Sequence, residues 1–168
     1  TALLIGPGLG QGAGAAAILD TWLSLANLPP TVLDADALRL LAKKLSDKEH
    51  LPGQSLLTPH AGEMAALTGL DIKDVLANRE ELARNFALSK GVTLVLKGAN
   101  TLVATPEGNL YQSEVSSSAL AHGGSGDVLA GLITGLLAQN VHPASAAISG
   151  VWLHAKAGLL ALEQRGWA

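Results

Sequence analysis

The chain has 168 residues, enough for one domain or a large piece of one, and 48% of them are apolar, so a substantial core can form. With only three Trp, one Tyr and one Phe, that core must be built from Ala, Leu, Val and Ile, with 19 glycines allowing close packing. A net charge of −3 with no basic run excludes a nucleic-acid surface, and the lack of cysteine excludes disulfides, thiol catalysis and thiolate metal sites, which fits a reducing cytoplasm.

Residues 2–5 read as a short buried strand. The chain opens on it without Met and with no charged region ahead, which points to a portion of a longer chain and argues against a signal peptide. Gly6-Pro7-Gly8-Leu9-Gly10 follows as an exit loop, either a ligand loop or simply a tight turn. An alanine-rich helix over residues 14–25 comes next, with Ile18, Trp22 and Leu25 as its core face. Pro29-Pro30 closes it, and a second strand, Thr31–Leu33, ends at Asp34-Ala35-Asp36. One of these aspartates is expected to cap the helix that carries Ala37, Leu38, Leu40, Leu41 and Leu45, leaving the other to face the strand ends.

Residues 43–53 form a charged surface loop. A third strand, Ser55–Leu57, leads into Thr58-Pro59-His60-Ala61-Gly62-Glu63, where Pro59 disfavours helix at Thr58 and Glu63 starts a helix that Gly69 ends. His60 thus sits in a strand-to-helix turn, and Glu63 is at the least a first-turn acid that suits the helix dipole. Residues 71–90 read as one polar-faced helix offering Val75, Leu76, Leu82, Phe86 and Leu88 to the core. Gly91 stops it, and residues 92–96, apolar on both faces, make a central parallel strand. Lys97 stands at that strand's exit, where a lysine either neutralises phosphate or merely reaches solvent. Residues 101–105 and 109–112, joined by Pro106-Glu107-Gly108, read as an antiparallel hairpin at a sheet edge.

A small, polar stretch over residues 113–119 delivers the chain to Gly123-Gly124-Ser125-Gly126-Asp127. Three glycines in four residues let consecutive amides converge at a helix N-terminus, a ready site for phosphate. Asp127 inside such a site is either a first-turn acid or a base set to take a proton from an attacking hydroxyl. Behind the turn, Val128, Leu129, Leu132, Ile133, Leu136 and Leu137 recur at helical spacing, and Gly131 and Gly135 are expected to allow close helix approach. Pro143 opens a last helix with Ala146, Ala147, Val151, Leu153, Ala157, Leu160 and Ala161 as a small-residue face, buried in the core or at a subunit contact. No apolar run reaches membrane-spanning length: residues 131–138 are too few, and 151–162 are broken by His154 and Lys156.

Taken in order, GPGLG, LDADAL, TPHAGEMAALTG, VLKGANT and ALAHGGSGDVLAGLITGLLAQ resemble the NAD(P)H-hydrate dehydratase family, within the ribokinase-like superfamily of small-molecule kinases. The resemblance implies an α/β fold, a three-layer α/β/α sandwich with a mostly parallel central sheet and an antiparallel edge hairpin. Residues 1–168 would be a single, incomplete domain lacking the family's first strands, with a sheet edge that another chain or a neighbouring subunit would cover. The implied reaction is dehydration of NADHX or NADPHX driven by a nucleoside di- or triphosphate: phosphorylation of the ring hydroxyl makes it a leaving group, and elimination restores NADH or NADPH.

By the same resemblance Asp127 is the base, and the amides of Gly123, Gly124 and Gly126 hold the transferred phosphoryl group. Gly8 and His60 contact the hydrated dinucleotide, while Lys97, Gly98, Ala99, Asn100 and Thr101 hold the nucleoside monophosphate part of the donor. Glu63 matches a glutamate that organises Mg2+ through water, ADP is the expected donor rather than ATP, and a homo-oligomer is expected. Ser117, Ser118 and Ser125 replace the family's usual Asn and Pro before the turn and Met within it. Two other classes compete with the dehydratase: a vitamin-precursor kinase of the same superfamily, and a non-catalytic nucleotide-binding module.

Overall fold

Four short apolar strands, each followed by helix or loop, set the frame: β1 (Leu3–Ile5), β2 (Thr31–Leu33), β3 (Ser55–Leu57) and β4 (Thr93–Leu96) lie side by side in chain order and run parallel. β5 (Leu102–Ala104) and β6 (Leu110–Gln112) extend this to a six-stranded sheet as antiparallel neighbours, joined by a turn in which Thr105 N donates to Asn109 O. The edge hairpin expected from the sequence is therefore present. The computed structural model describes residues 1–45, 50–115, 120 and 123–165. Residues 46–49 of the charged loop, most of the polar stretch before the glycine turn (with Ser117 and Ser118), and His122 lie outside the described residues.

Strand order explains the layers. Because β1 to β4 advance in one direction across the sheet, right-handed crossovers place every connecting helix on the same face. That face carries α1 (Ala13–Ser24), α2 (Asp36–Ala42), α3 (Ala61–Thr68), α4 (Ile72–Ala77) and α5 (Arg79–Lys90), packed on Leu33, Leu57, Leu94, Leu96 and Leu102. Strand side chains alternate, so Val32, Leu56, Val95 and Val103 point the other way. They are covered by α6 (Ser125–Ala138) and α7 (Pro143–Arg165), which follow the last strand. The result is the α/β/α sandwich.

Several local expectations are corrected. β1 is half exposed rather than buried, Leu3 and Leu4 each at 37%, because it pairs only with β2. In α1 the buried stripe is Ala15, Leu19 and Trp22, with Ile18 and Leu25 exposed; the Trp22 indole donates to Thr31 Oγ1 at 3.2 Å and fixes the helix rotation. The polar helix over residues 71–90 is two, broken at Asn78, and Leu76 and Leu88 face solvent while Ala83 and Ala87 are buried. Leu45 and Leu51 are buried, so the charged loop is anchored at both sides.

On the opposite face, Val128 is exposed and the buried stripe of α6 is Leu129, Ala130, Ile133 and Leu137. Gly131 and Gly135 border open space; the close helix contact is made instead by Gly150 of α7, where a Cβ would lie 2.6 Å from Ile133 Cγ1. In α7, Ala146, Ala147, Val151 and Ala155 are buried, whereas Leu153, Ala157, Leu160 and Ala161 are not. Contrary to the expectation from shorter runs, α7 is long and apolar enough by length and composition to cross a membrane, since the helix runs on through Pro143–Gln164. Here one side of it is laid along α6 and the sheet.

One backbone contact joins the first two strand exits. Gly6, at φ +136°, sits so close to β2 that a Cβ would fall 1.7 Å from Asp34 O. No side chain fits there. Gly6→Ala is expected to destabilise the domain by about 3 kcal/mol or more, read as a lower denaturant midpoint in urea unfolding.

Candidate active site at the strand ends

The carboxyl ends of parallel strands are where α/β sheets gather ligands. Each exit here is tied by one further backbone bond: Asp34 N to Ile5 O at 3.1 Å, Thr58 N to Leu33 O at 3.1 Å, and Lys97 N to Pro59 O at 2.8 Å. The side chains that follow are therefore aimed from a rigid ladder.

Neither aspartate of LDADAL caps α2, whose N-cap is Ala35 with no side-chain bond. Asp36 instead accepts from Gly10 N at 2.9 Å and tethers the glycine loop, on which Gly8 is exposed. Asp34, 1% exposed, turns to the strand ends and accepts from Lys97 Nζ at 2.8 Å. Ala35 between them is held at φ +48°, a strained angle for a residue with a Cβ, and that twist lets two aspartates only two positions apart serve two different elements.

His60 and Glu63 form a reciprocal cap on α3. The ring Nδ1 accepts from Gly62 N at 3.0 Å and Glu63 N at 3.2 Å, while Glu63 Oε2 accepts from His60 N at 2.9 Å. An Nδ1 that accepts from backbone amides carries no proton, so the neutral ring bears its hydrogen on Nε2. That nitrogen lies 3.4 Å from Glu63 Oε1, and the ring remains half exposed at 52%. Both ring nitrogens of His60 thus face groups of α3, while the side chain as a whole stays half open to solvent. The sequence hinted at the cap through Glu63 three residues on, but histidine stands where Ser or Thr is usual.

Glu63 Oε2 also lies 3.8 Å from Lys97 Nζ. Two buried carboxylates thus bracket one ammonium, and removing either partner of such a group leaves an uncompensated buried charge. Next to them is the glycine turn: a Cβ on Gly126 would lie 3.3 Å from Lys97 Nζ and 3.9 Å from Asp34 Oδ2. Gly124 is the N-cap at φ +87°, and the intrahelical ladder begins with Val128 N to Gly124 O, so the first-turn amides of α6 lie ahead of it. Ser125 Oγ donates to Leu120 O at 2.6 Å, tying down the approach to the turn. Asp127 is in the first turn of α6 and exposed.

The structure splits the VLKGANT stretch. Lys97 turns inward to Asp34, whereas Gly98 lies under the Arg79 guanidinium, which donates to Leu96 O at 3.2 Å. Burial pulls the Arg79 pKa below its ordinary value. Thr101 Oγ1 donates back to Gly98 O, and Asn100 lines a polar cleft of about 440 Å3 with Asn78, Arg79 and Gln112. Ala99 is exposed in the same loop. Among the described residues no group of three or more His, Asp or Glu gathers to hold a metal ion.

A model of the family described as NAD(P)H-hydrate dehydratase matches residues 1–168. The ADP-dependent (S)-NAD(P)H-hydrate dehydratase of Neisseria meningitidis is 41% identical over 99% of this chain and 57% of its own length. The crystal structure of the ADP/ATP-dependent NAD(P)H-hydrate dehydratase from Bacillus subtilis, co-crystallised with ATP/Mg2+, shares the fold at a TM-score of 0.82 with 32% identity, covering 97% of this chain and 56% of that one. Hydroxyethylthiazole kinase from Pyrococcus horikoshii, at 22% identity and a TM-score of 0.77 over 99% of this chain and 65% of that one, is alike in fold. The chain spans little more than half the length of the dehydratase relatives described.

The His60 cap yields a direct test. His60→Ala should cost about 1 kcal/mol by removing the ring acceptor of the Gly62 and Glu63 amides, whereas His60→Asn, whose side-chain oxygen can still accept, should retain most of it. Urea midpoints at unchanged slope would measure the difference.

Proposed function

Because the chain belongs to the NAD(P)H-hydrate dehydratase family, we propose that it carries most of a site at which ADP, or ATP, drives the loss of water from NADHX or NADPHX. The observation that supports this best is the glycine turn of α6 lying against Lys97 and Asp34, with Asp127 exposed beside it. A phosphoryl group in the turn would meet the amides around Gly123, Gly124 and Gly126, which suit the charge spread over its equatorial oxygens. Asp127, one residue on, would take the proton of the ring hydroxyl as its oxygen attacks phosphorus and the P–O bond to the nucleotide breaks. The phosphate then leaves the ring with the C–O electron pair, a ring proton is released, and the double bond of the reduced nicotinamide forms.

Gly8 and the half-exposed ring of His60 are assigned to the hydrated dinucleotide. The loop of Gly98, Ala99, Asn100 and Thr101, beside the Arg79 cleft, is assigned to the nucleoside end of the donor. Magnesium, when bound, would neutralise charge on the phosphates, with Glu63 the carboxylate placed to orient its water. The exposed apolar residues of α7, with Trp152 at 51% and Leu160 at 55%, support a homo-oligomer, and a cytoplasmic location is part of the same reading.

Turnover separates this reading from its rivals. A dehydratase regenerates the absorbance of reduced nicotinamide, a vitamin-precursor kinase accumulates a phosphorylated alcohol, and a binding module does neither. Asp127→Asn should lower kcat by about a hundredfold or more while nucleotide affinity, measured by calorimetry, changes little. Normal turnover by that variant would remove the assigned base.

A further inference from the structure

Asp34 has no part in the reaction as set out above, yet it is the most enclosed carboxylate of the site, and such a group persists out of water only where its charge is compensated. Its partner is Lys97, whose ammonium has three donors on a flexible four-carbon stem. One of them is fixed by Asp34 Oδ1 at 2.8 Å, Glu63 Oε2 stands at 3.8 Å, and the ammonium lies where a Cβ on Gly126 would come within 3.3 Å of it. This location is unfavourable for a lone cation. The first turn of a helix carries partial positive charge, so an ammonium there is repelled unless carboxylates behind it hold it in place.

We propose that Asp34 is a positioning residue: it holds the Lys97 ammonium against the first turn of α6, at the phosphoryl group being transferred rather than at the nucleoside end of the donor. The placement follows from the division of VLKGANT, in which Lys97 turns to Asp34 while Gly98 lies against Arg79 and Asn100 lines the cleft beside it. Gly126 matters for the same reason, since a side chain there would press on the ammonium at 3.3 Å. The buried ion pair is thereby an element of the phosphate cradle. The proposal rests on the phosphoryl-transfer reading of the site.

Two measurements on the protein test it. In the first, lysines are acylated with an amine-selective reagent at limiting concentration and the labelling of Lys97 is followed by peptide mass spectrometry. Labelling should be slow in the unaltered protein and several-fold faster in Asp34→Asn; an unchanged rate would overturn the proposal. In the second, Asp34→Asn and Lys97→Met should each lower kcat for hydrate dehydration by about a hundredfold with nucleotide KM nearly constant, as expected when a reacting group is misplaced. The double variant should be no slower than Lys97→Met, because both changes remove one unit. Losses that multiply, or a normal kcat in Asp34→Asn, would refute it. Should Asp34→Asn fail to fold, Asp34→Ser, which leaves room for a water beside the ammonium, replaces it in both. If the unaltered protein dehydrates no hydrate at all, the functional reading falls, and the labelling of Lys97 by itself decides whether Asp34 holds the ammonium.

Discussion

The 2.8 Å pair between Asp34 and Lys97 is the contact on which the arrangement of the site depends. It joins the ends of two strands, β2 and β4, that are separated by β3 and its connecting helices, and it does so where water is largely excluded. A pair so placed contributes little net stability if formed and costs several kcal/mol if broken, because either survivor is a buried lone charge. Its importance is therefore geometric. It fixes where the ammonium stands, and the ammonium in turn sets how closely the glycine turn of α6 can lie.

Three features of the backbone make that pair possible. Gly6 lets β1 approach the carbonyl of Asp34 more closely than any Cβ would allow. Ala35, at its strained angle, turns Asp34 and Asp36 to different duties, one toward the strand ends and one toward the amide of Gly10. The reciprocal cap of His60 and Glu63 then presents a carboxylate to Lys97 while the His60 ring stays half exposed. Each device uses backbone groups to place a charged side chain, which gives more precise placement than long side chains alone.

The two faces of the sheet divide the labour. The α1 to α5 face supplies most of the core and, through the first turn of α3, one wall of the site. The α6 and α7 face supplies the helix whose N-terminus closes the site from the other side, and Gly150 lets α7 press on Ile133 to hold that helix down. Exposed Trp152, Leu153 and Leu160 on the outer side of α7, together with the half-exposed β1, leave apolar surface at two places on the domain.

The sequence by itself was sufficient for the strands, the glycine stops at Gly69 and Gly91, the edge hairpin and the glycine turn into α6, because each is written in local patterns of apolar spacing and turn residues. Helix phase was not legible where alanine and leucine occupy most positions: Ile18 and Leu19 look equally fit for a core, and only Trp22 bonded to Thr31 chooses between them. The same holds for Val128 and Leu153, which continue a helical repeat but point away from the sheet. Lys97 could be placed at a strand exit, but its direction could not, since a lysine reaches solvent or a carboxylate equally well until the fold brings Asp34, 63 residues earlier, to within a hydrogen bond. Local chemistry names the groups a chain can use; which of them meet is decided by long-range strand register and by the close backbone contacts that glycine alone permits.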